Sequence, residues 1–199
     1  MTFIGVNTCI IQNGKILLTK REDFEIWCLP GGAVDEGEPL AQAAQRETRE
    51  EIGLEVELVR LIGVYSQISM PSFVWYISSF AARPIGGELR PDPNEVLDIA
   101  YFAPDELPED LMLTHRQRIL DAFANHPEPA VWTQWMNSPF PEGITRADIY
   151  KMRDESGLSR SEFYRQTLGR VEGMRLVRDI PSPLPDAAQN PKGTSNFHV

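Results

Sequence analysis

The sequence predicts a mixed α/β fold in which helices pack on a central sheet. Two strand-like runs joined by an Asn-Gly turn open the chain, and a helix-favouring segment begins near residue 40. Further runs rich in aromatic and β-branched residues then precede a second helical segment. Strands, a helix, more strands and a closing helix, in that order, favour a mixed sheet covered by helices.

The first elements are predicted to be a hairpin and a short strand. Residues 3–11 and 15–19 are rich in apolar side chains, and an Asn-Gly pair between two such runs is a strong hairpin signal. Residues 26–29 form a third apolar run, which stops at Pro30 before a loop rich in glycine and acidic residues. We therefore expect three strands ahead of the first helix.

The first helix is predicted at residues 40–52, whose composition favours a helix throughout. Pro39 suits the first helical position, and Gly53 suits the end of the helix. The later elements are predicted as strands at 55–65, 72–82 and 99–103 and a helix at 114–125. Together these elements form one predicted domain over the first 126 residues.

The last third of the chain differs in charge. Residues 1–143 carry 10 Lys and Arg against 22 Asp and Glu, whereas residues 144–199 carry 9 against 7. The first part therefore has a net charge of −12 and the second of +2, within the total of −10. Such an asymmetry indicates that the C-terminal part is a separate unit.

Residues 127–179 are predicted to be a helical extension or a small helical domain. Two helices are expected, at 145–155 and 159–171, after a proline-rich stretch. Residues 180–199 contain four prolines and many polar residues, and we predict a flexible tail there.

Composition also limits the function classes. The net charge of −10 argues against general affinity for nucleic acid. No stretch of about 18 apolar residues is present, and the N-terminus has no basic segment before its first apolar run, so we expect neither a membrane span nor a secretory signal. Cys9 and Cys28 lie in strand-like runs and are predicted to be buried core residues in a reducing cytoplasm.

Three glutamates on the first helix are the main candidate functional residues. Glu47, Glu50 and Glu51 are spaced as i, i+3 and i+4, so their side chains share one helix face. Like charges so close repel one another, whereas a divalent cation bound between them would attract all three carboxylates. Carboxylate oxygens are the ligands that Mg²⁺ or Mn²⁺ prefers. The spacing therefore predicts a divalent metal site.

The residues around these glutamates support the same interpretation. Arg46 precedes Glu50 by four residues, close enough for an ion pair that orients the carboxylate. The glycines ahead of the helix let the backbone turn sharply and approach a ligand. The helix N-terminus adds partial positive charge near this loop, which favours an anion.

Residues 32–54 resemble the Nudix box, Gx5Ex7REUxEExGU, in which U is a bulky apolar residue. Leu54 suits the last U position, and Thr48 departs from the pattern at the first, where we expect slightly weaker packing and intact metal ligands. All fixed positions of the box are present: Gly32, Glu38, Arg46, Glu47, Glu50, Glu51 and Gly53.

The resemblance implies a Nudix-type α/β/α sandwich and attack by water on a phosphorus atom of a diphosphate linkage. It implies that Glu47, Glu50 and Glu51 coordinate Mg²⁺ or Mn²⁺, assisted by a backbone carbonyl of Gly31 or Gly32. The same resemblance makes Arg46 a candidate catalytic residue and Glu38 a candidate substrate contact. The general base stays open among Glu50, Glu51 and Glu95.

The substrate also stays open. ADP-ribose, other nucleotide sugars, dinucleotides and modified nucleoside triphosphates all fit an intact box. Pro71 is similar to a feature of ADP-ribose-cleaving members, although a loop proline needs no such role. Five aromatic residues are candidates for stacking on a base, with core packing as the favoured alternative: Phe24, Trp27, Tyr65, Trp75 and Tyr76.

An alternative function is a nucleotide-sensing transcriptional regulator. Residues 149–165 resemble a helix-turn-helix with Gly157 in the turn, and several second-helix side chains could face phosphates: Ser159, Arg160, Ser161 and Arg165. The local excess of two positive charges is small for such a footprint. We favour a helical extension that supports a homodimer or covers the active site.

Overall fold

The computed structural model describes residues 2–70, 73–170 and 174–180. It contains these elements in chain order: β1 (Thr2–Gln12), β2 (Lys15–Arg21), β3 (Trp27–Cys28), α1 (Leu40–Ile52), β4 (Leu54–Met70), β5 (Phe73–Gly87), β6 (Val96–Phe102), α2 (His115–Ala124), β7 (Ala130–Asn137), α3 (Arg146–Glu155), α4 (Arg160–Gln166) and β8 (Arg175–Ile180). Within these ranges no helix is both long and apolar enough to cross a bilayer.

The strands form one mixed sheet in the order β3-β2-β1-β5-β4-β7-β8, and β6 pairs with β2. β1 runs parallel to β5, and β4 runs parallel to β7, whereas β4 and β5 form a long antiparallel pair. The predicted mixed sheet and the opening hairpin are therefore confirmed.

Alternate side chains of β1 face opposite helices. Val6 packs with Ala43 and Ala44 of α1, whereas Cys9 packs in a cluster with Ile119 of α2. Successive residues of a strand point to opposite faces, so a single strand can contribute to both layers. This arrangement gives the α/β/α sandwich that the resemblance implied. It also buries both cysteines as free thiols, which confirms the core prediction.

The extension predicted to be helical at 127–179 contains strands as well as helices. Helices α3 and α4 lie where two helices were expected, but Ala130–Asn137 and Arg175–Ile180 are strands. β7 pairs with β4, which lies more than 60 residues earlier in the chain, and β8 pairs with β7. Of the residues in the predicted tail, 181–199 lie outside the described residues, as does Pro71.

The two C-terminal helices pack on the loop that follows β2. Phe24 and Ile26 share a buried cluster with Ile149 of α3 and Phe163 and Tyr164 of α4. The start of α3 is fixed by a capping box between Thr145 and Asp148. This packing places the N-terminal end of α3 beside the loop at residues 21–26.

Candidate active site

Helix α1 presents its glutamates toward the glycine loop because its other face is anchored in the core. Ala43, Ala44, Thr48 and Ile52 are its buried residues, and the small alanines let the helix approach β1 closely. Pro39 is the N-cap and so lies one residue before the helix, in place of the predicted first position. The fixed face directs the carboxylates of the box away from the core.

Two of these carboxylates contact the glycine loop directly. The Gly31 amide donates a hydrogen bond of 2.9 Å to Oε2 of Glu51. The Glu47 carboxylate lies where a Gly32 side chain would be, since a Cβ there would be 2.6 Å from its Oε2. Gly31 has a φ of 140°, and a Cβ on it would lie 2.1 Å from the Val6 carbonyl oxygen. Glycine at both positions is therefore required by the close approach of the loop and the helix.

Arg46 connects the acidic residues of the box. Its guanidinium donates to both carboxylate oxygens of Glu38 at 2.8 Å, to Glu47 at 2.8 Å and to Glu50 at 3.0 Å. The predicted ion pair with Glu50 is confirmed. Glu38 also accepts from the Asp35 amide at 3.2 Å, so the structure places this residue, predicted as a substrate contact, against Arg46.

Glu95 reaches the same site from the loop before β6. The Asp92 amide donates to the Glu51 carbonyl at 2.9 Å, and the Glu95 amide donates to the Asp92 carbonyl at 3.1 Å. These bonds hold the loop against the end of α1. Glu95 then lines a cavity of about 420 Å³ together with Glu47, Glu51 and the Gly31–Gly32 backbone.

Burial and mutual repulsion perturb the carboxyls in this cavity. Burial raises the pKa of Glu51 to about 8, and the charges of Glu47 and Glu95 act in the same direction. Burial also raises the pKa of Glu47, although Arg46 opposes that change. Burial disfavours the ionised form of both carboxyls, so these oxygen donors fit a divalent ion that would stabilise their charges.

The structure brings only some of the predicted metal ligands close to one another. Among the described residues, no three acidic, histidine or cysteine side chains converge as a cluster able to hold a metal ion. The Glu50 side chain is 56% exposed and is bound to Arg46. Of the two predicted backbone ligands, the Gly32 carbonyl already accepts from the Val6 amide at 3.0 Å. In the described part of the chain, the Gly31 carbonyl has no such donor.

Comparison with known proteins identifies the family. The model of the NUDIX domain matches residues 1–123. The chain belongs to the Nudix family. A putative 8-oxo-dGTP diphosphatase of Bacillus subtilis is 37% identical over 114 residues, which are 57% of this chain and 74% of that protein. An ADP-ribose pyrophosphatase of Methanocaldococcus jannaschii is 34% identical over 122 residues, 59% of this chain and 71% of that protein.

Solved structures of Nudix proteins confirm the fold. The crystal structure of a MutT Nudix hydrolase from Burkholderia pseudomallei has a TM-score of 0.57 and 32% identity, covering 61% of this chain and 98% of that one. The two similar curated proteins are named as a diphosphatase and a pyrophosphatase.

The departure from the Nudix box at Thr48 is accommodated in the core. Thr48 is fully buried, and its hydroxyl lies 2.8 Å from that of Thr8 on β1. It also donates to the Ala44 carbonyl at 2.7 Å. The polar group that replaces an aliphatic side chain is thus fully hydrogen-bonded.

Core packing accounts for three of the five aromatic candidates. Phe24, Trp27 and Tyr65 are buried, which agrees with the favoured alternative. Trp75 stacks on Phe3 with ring centroids 4.7 Å apart, and Tyr76 is 45% exposed.

Two of the side chains proposed to face nucleic acid phosphates, those of Ser159 and Arg160, have other contacts. Arg160 donates to the backbone oxygen of Glu22 at 2.7 Å and forms an ion pair with its carboxylate. Ser159 caps α4 by accepting from the Glu162 amide at 3.3 Å. Arg165 lines a second cavity, of about 510 Å³, beside Tyr164. These contacts attach α4 to the Nudix part of the chain, and no observation favours a regulator.

Several residues of the cavity wall were not predicted from the sequence. Among them, Arg21 ends β2, Asp23 follows it, and Arg146 and Tyr150 belong to α3. Asp23 is bound by both Arg21 nitrogens at 2.8 and 2.5 Å and by the Tyr150 hydroxyl at 2.8 Å. More than 120 residues separate Asp23 from its α3 partners, so no local pattern signals this contact.

Proposed function

We propose that this chain hydrolyses the diphosphate linkage of a nucleoside-diphosphate derivative with a divalent metal, Mg²⁺ or Mn²⁺. The observation that carries the proposal is the grouping of the Glu47, Glu51 and Glu95 carboxylates with the Gly31–Gly32 backbone around one cavity. The names of its relatives add support, since they include enzymes for ADP-ribose and for 8-oxo-dGTP.

Glu47, Glu50 and Glu51 would hold the metal, and the Gly31 carbonyl is the best placed backbone oxygen. A bound divalent cation would supply positive charge at the phosphate oxygens and ease attack by water at neutral pH. Arg46 would keep Glu47 and Glu50 oriented, because its guanidinium binds both carboxylates. Glu38 would fix Arg46 in turn.

Glu95 is the proposed general base. It lines the cavity from the loop before β6, and its backbone is fixed by bonds to Asp92 and Glu22. Glu50 is the weaker candidate, since Arg46 binds its carboxylate outside the cavity lining. Water oxygen would bond to phosphorus as its proton passes to Glu95. The P–O anhydride bond would break, and its electron pair would leave with the departing phosphate.

A substrate panel tests this proposal. ADP-ribose, UDP-glucose, diadenosine diphosphate, 8-oxo-dGDP and 8-oxo-dGTP would be incubated with the protein and Mg²⁺ or Mn²⁺, and products would be separated by chromatography. We expect cleavage of at least one diphosphate linkage, abolished by EDTA and restored by excess metal. Glu55→Gln is the matched control, because Glu55 is exposed and lies outside the cavity.

Two outcomes of the substrate panel would contradict the proposed function. If the parent protein and Glu55→Gln cleave no compound of the panel with either metal, the catalytic proposal is wrong. If cleavage occurs equally in EDTA, the metal-dependent mechanism is wrong although the activity is present.

A further inference from the structure

The wall of the active-site cavity is completed by a helix outside the matched Nudix domain. The family model ends at residue 123, whereas Arg146 and Tyr150 of α3 line the cavity with Glu47, Glu51 and Glu95. Arg146 and Tyr150 are spaced as i and i+4, so both lie on one face of α3. The extension therefore reaches the site that the Nudix box builds.

This face of α3 is held firmly against the domain. The Arg153 guanidinium, which is 7% exposed, donates to the Asp23 backbone oxygen at 2.5 Å. Phe24 contacts Tyr150 with ring centroids 5.8 Å apart. The Tyr150 hydroxyl donates to Asp23 at 2.8 Å and accepts from Nε of Arg146 at 2.5 Å. The position of Arg146 at the cavity is thus fixed by several independent contacts.

Within the cluster of Arg21, Asp23 and Arg146, one positive charge is in excess. Asp23 is bound by two nitrogens of Arg21, at 2.8 and 2.5 Å, so these two residues balance each other. Arg146 approaches the same carboxylate with a single longer contact of 3.3 Å, and its side chain is 72% exposed. In the described part of the chain its Nη1 makes no hydrogen bond. Arg146 therefore retains a charge and a donor for a further anionic partner.

We propose that Arg146 binds a phosphate group of the substrate and that Tyr150 and Asp23 position it to do so. A guanidinium is suited to this role because its planar donors match phosphate oxygens. The same cavity also contains Glu47, Glu51 and Glu95, which would engage the substrate through a metal, so an anionic diphosphate in the cavity could contact both groups. This inference rests on the proposed function, and it makes the C-terminal extension part of the substrate site.

The test compares Arg146→Gln with Lys151→Gln, which removes the same charge from an exposed position of the same helix. Steady-state kinetics would use the substrate that the parent cleaves best. We expect Arg146→Gln to raise KM about tenfold with kcat within about twofold, since a charge-assisted contact is lost. Arg146→Lys should recover part of the loss, because it restores the charge but not the planar donors, and Lys151→Gln should match the parent. Circular dichroism and thermal unfolding would verify that all variants are folded.

Binding of ADP in the presence of Mg²⁺, measured by calorimetry, gives a readout independent of turnover. We expect about tenfold weaker binding by Arg146→Gln than by Lys151→Gln. An unchanged KM with equal ADP binding in these two variants would overturn the inference while the proposed function stands. A parent that neither cleaves the panel nor binds ADP would overturn both.

Discussion

The hydroxyl of Thr8 on β1 lies 2.8 Å from the hydroxyl of Thr48 on α1, and both residues are fully buried. The direction of this bond follows from a second one. Thr48 donates to the Ala44 carbonyl, which can only accept, so the Thr8 hydroxyl must donate to Thr48. A polar residue in an apolar position of the Nudix box is thus matched by a polar residue on the facing strand.

We expect Thr48→Val to lower the free energy of unfolding by about 1–3 kcal/mol, because the Thr8 hydroxyl loses its acceptor inside the core. The double variant Thr8→Val/Thr48→Val removes both polar groups and should lie within about 1 kcal/mol of the parent. Urea denaturation of the single and double variants measures this coupling. Strictly additive losses would show that the two hydroxyls do not depend on each other.

Gly31 should tolerate no side chain. Its φ of 140° and the Val6 carbonyl 2.1 Å from an added Cβ require the loop to move. We expect Gly31→Ala to be at least about 2 kcal/mol less stable than Gly37→Ala. It should also lose activity, because the clash would move the amide of residue 31 away from Glu51. Gly37 is the matched control, since it has a φ of 79° with open space around its Cβ. Equal stability in thermal unfolding would contradict the account of the loop.

Arg46→Lys should reduce kcat/KM about 10–100-fold, because a single ammonium cannot hold Glu38, Glu47 and Glu50 at once. Excess Mg²⁺ should recover part of this loss if the effect lies in the orientation of metal ligands. Arg49→Lys on the same helix is the control, as Arg49 is 54% exposed and only approaches Glu55 at 3.9 Å. Similar kinetics in the two variants would exclude an orienting role for Arg46.

Acid should weaken the attachment of α3 through Asp23. Burial alone would raise the pKa of this carboxyl, but its hydrogen bonds from Arg21 lower it to about 2, against an ordinary value of 3.8. Its folded pKa is depressed, so its contribution is complete above about pH 4 and is lost as the pH falls toward 2. That contribution is about 2 kcal/mol.

Urea denaturation at pH 5 and at pH 2.5 would measure this contribution in the parent and in Asp23→Asn. The variant should be less stable at pH 5 and should change less between the two values. Asp105→Asn provides the comparison at an exposed position. A pH dependence in Asp23→Asn as steep as in the parent would contradict the assignment.

The sequence was sufficient for the elements whose signals are local. The opening hairpin, α1 and the position of Glu47 and Glu51 on one helix face follow from an Asn-Gly turn and helical spacing. The same local logic predicted the ion pair of Arg46 with Glu50, which is observed at 3.0 Å. The partner of Glu38 was not predicted, because Arg46 lies eight residues away, across the turn into the helix.

The features that the sequence could not predict depend on distant partners. β7 has a weak strand signal because Gln134, one of its buried residues, is polar, and its hydrogen bonds come from β4. The Gln134 side-chain amide donates one hydrogen bond, to the Thr114 carbonyl at 3.2 Å, while its oxygen has no hydrogen-bond partner among the described residues. The contact of Arg146 with Asp23 likewise exists only after α3 has packed on Phe24.

The most direct test of the central claim is the rate of diphosphate cleavage by Glu51→Gln under saturating Mg²⁺. This variant keeps the shape and a hydrogen-bond acceptor for the Gly31 amide but removes the charge that would bind the metal. We predict a fall in kcat of at least about 100-fold, with Glu55→Gln unchanged. Turnover by Glu51→Gln at the parental rate would contradict the assignment of this cavity as the metal-dependent active site.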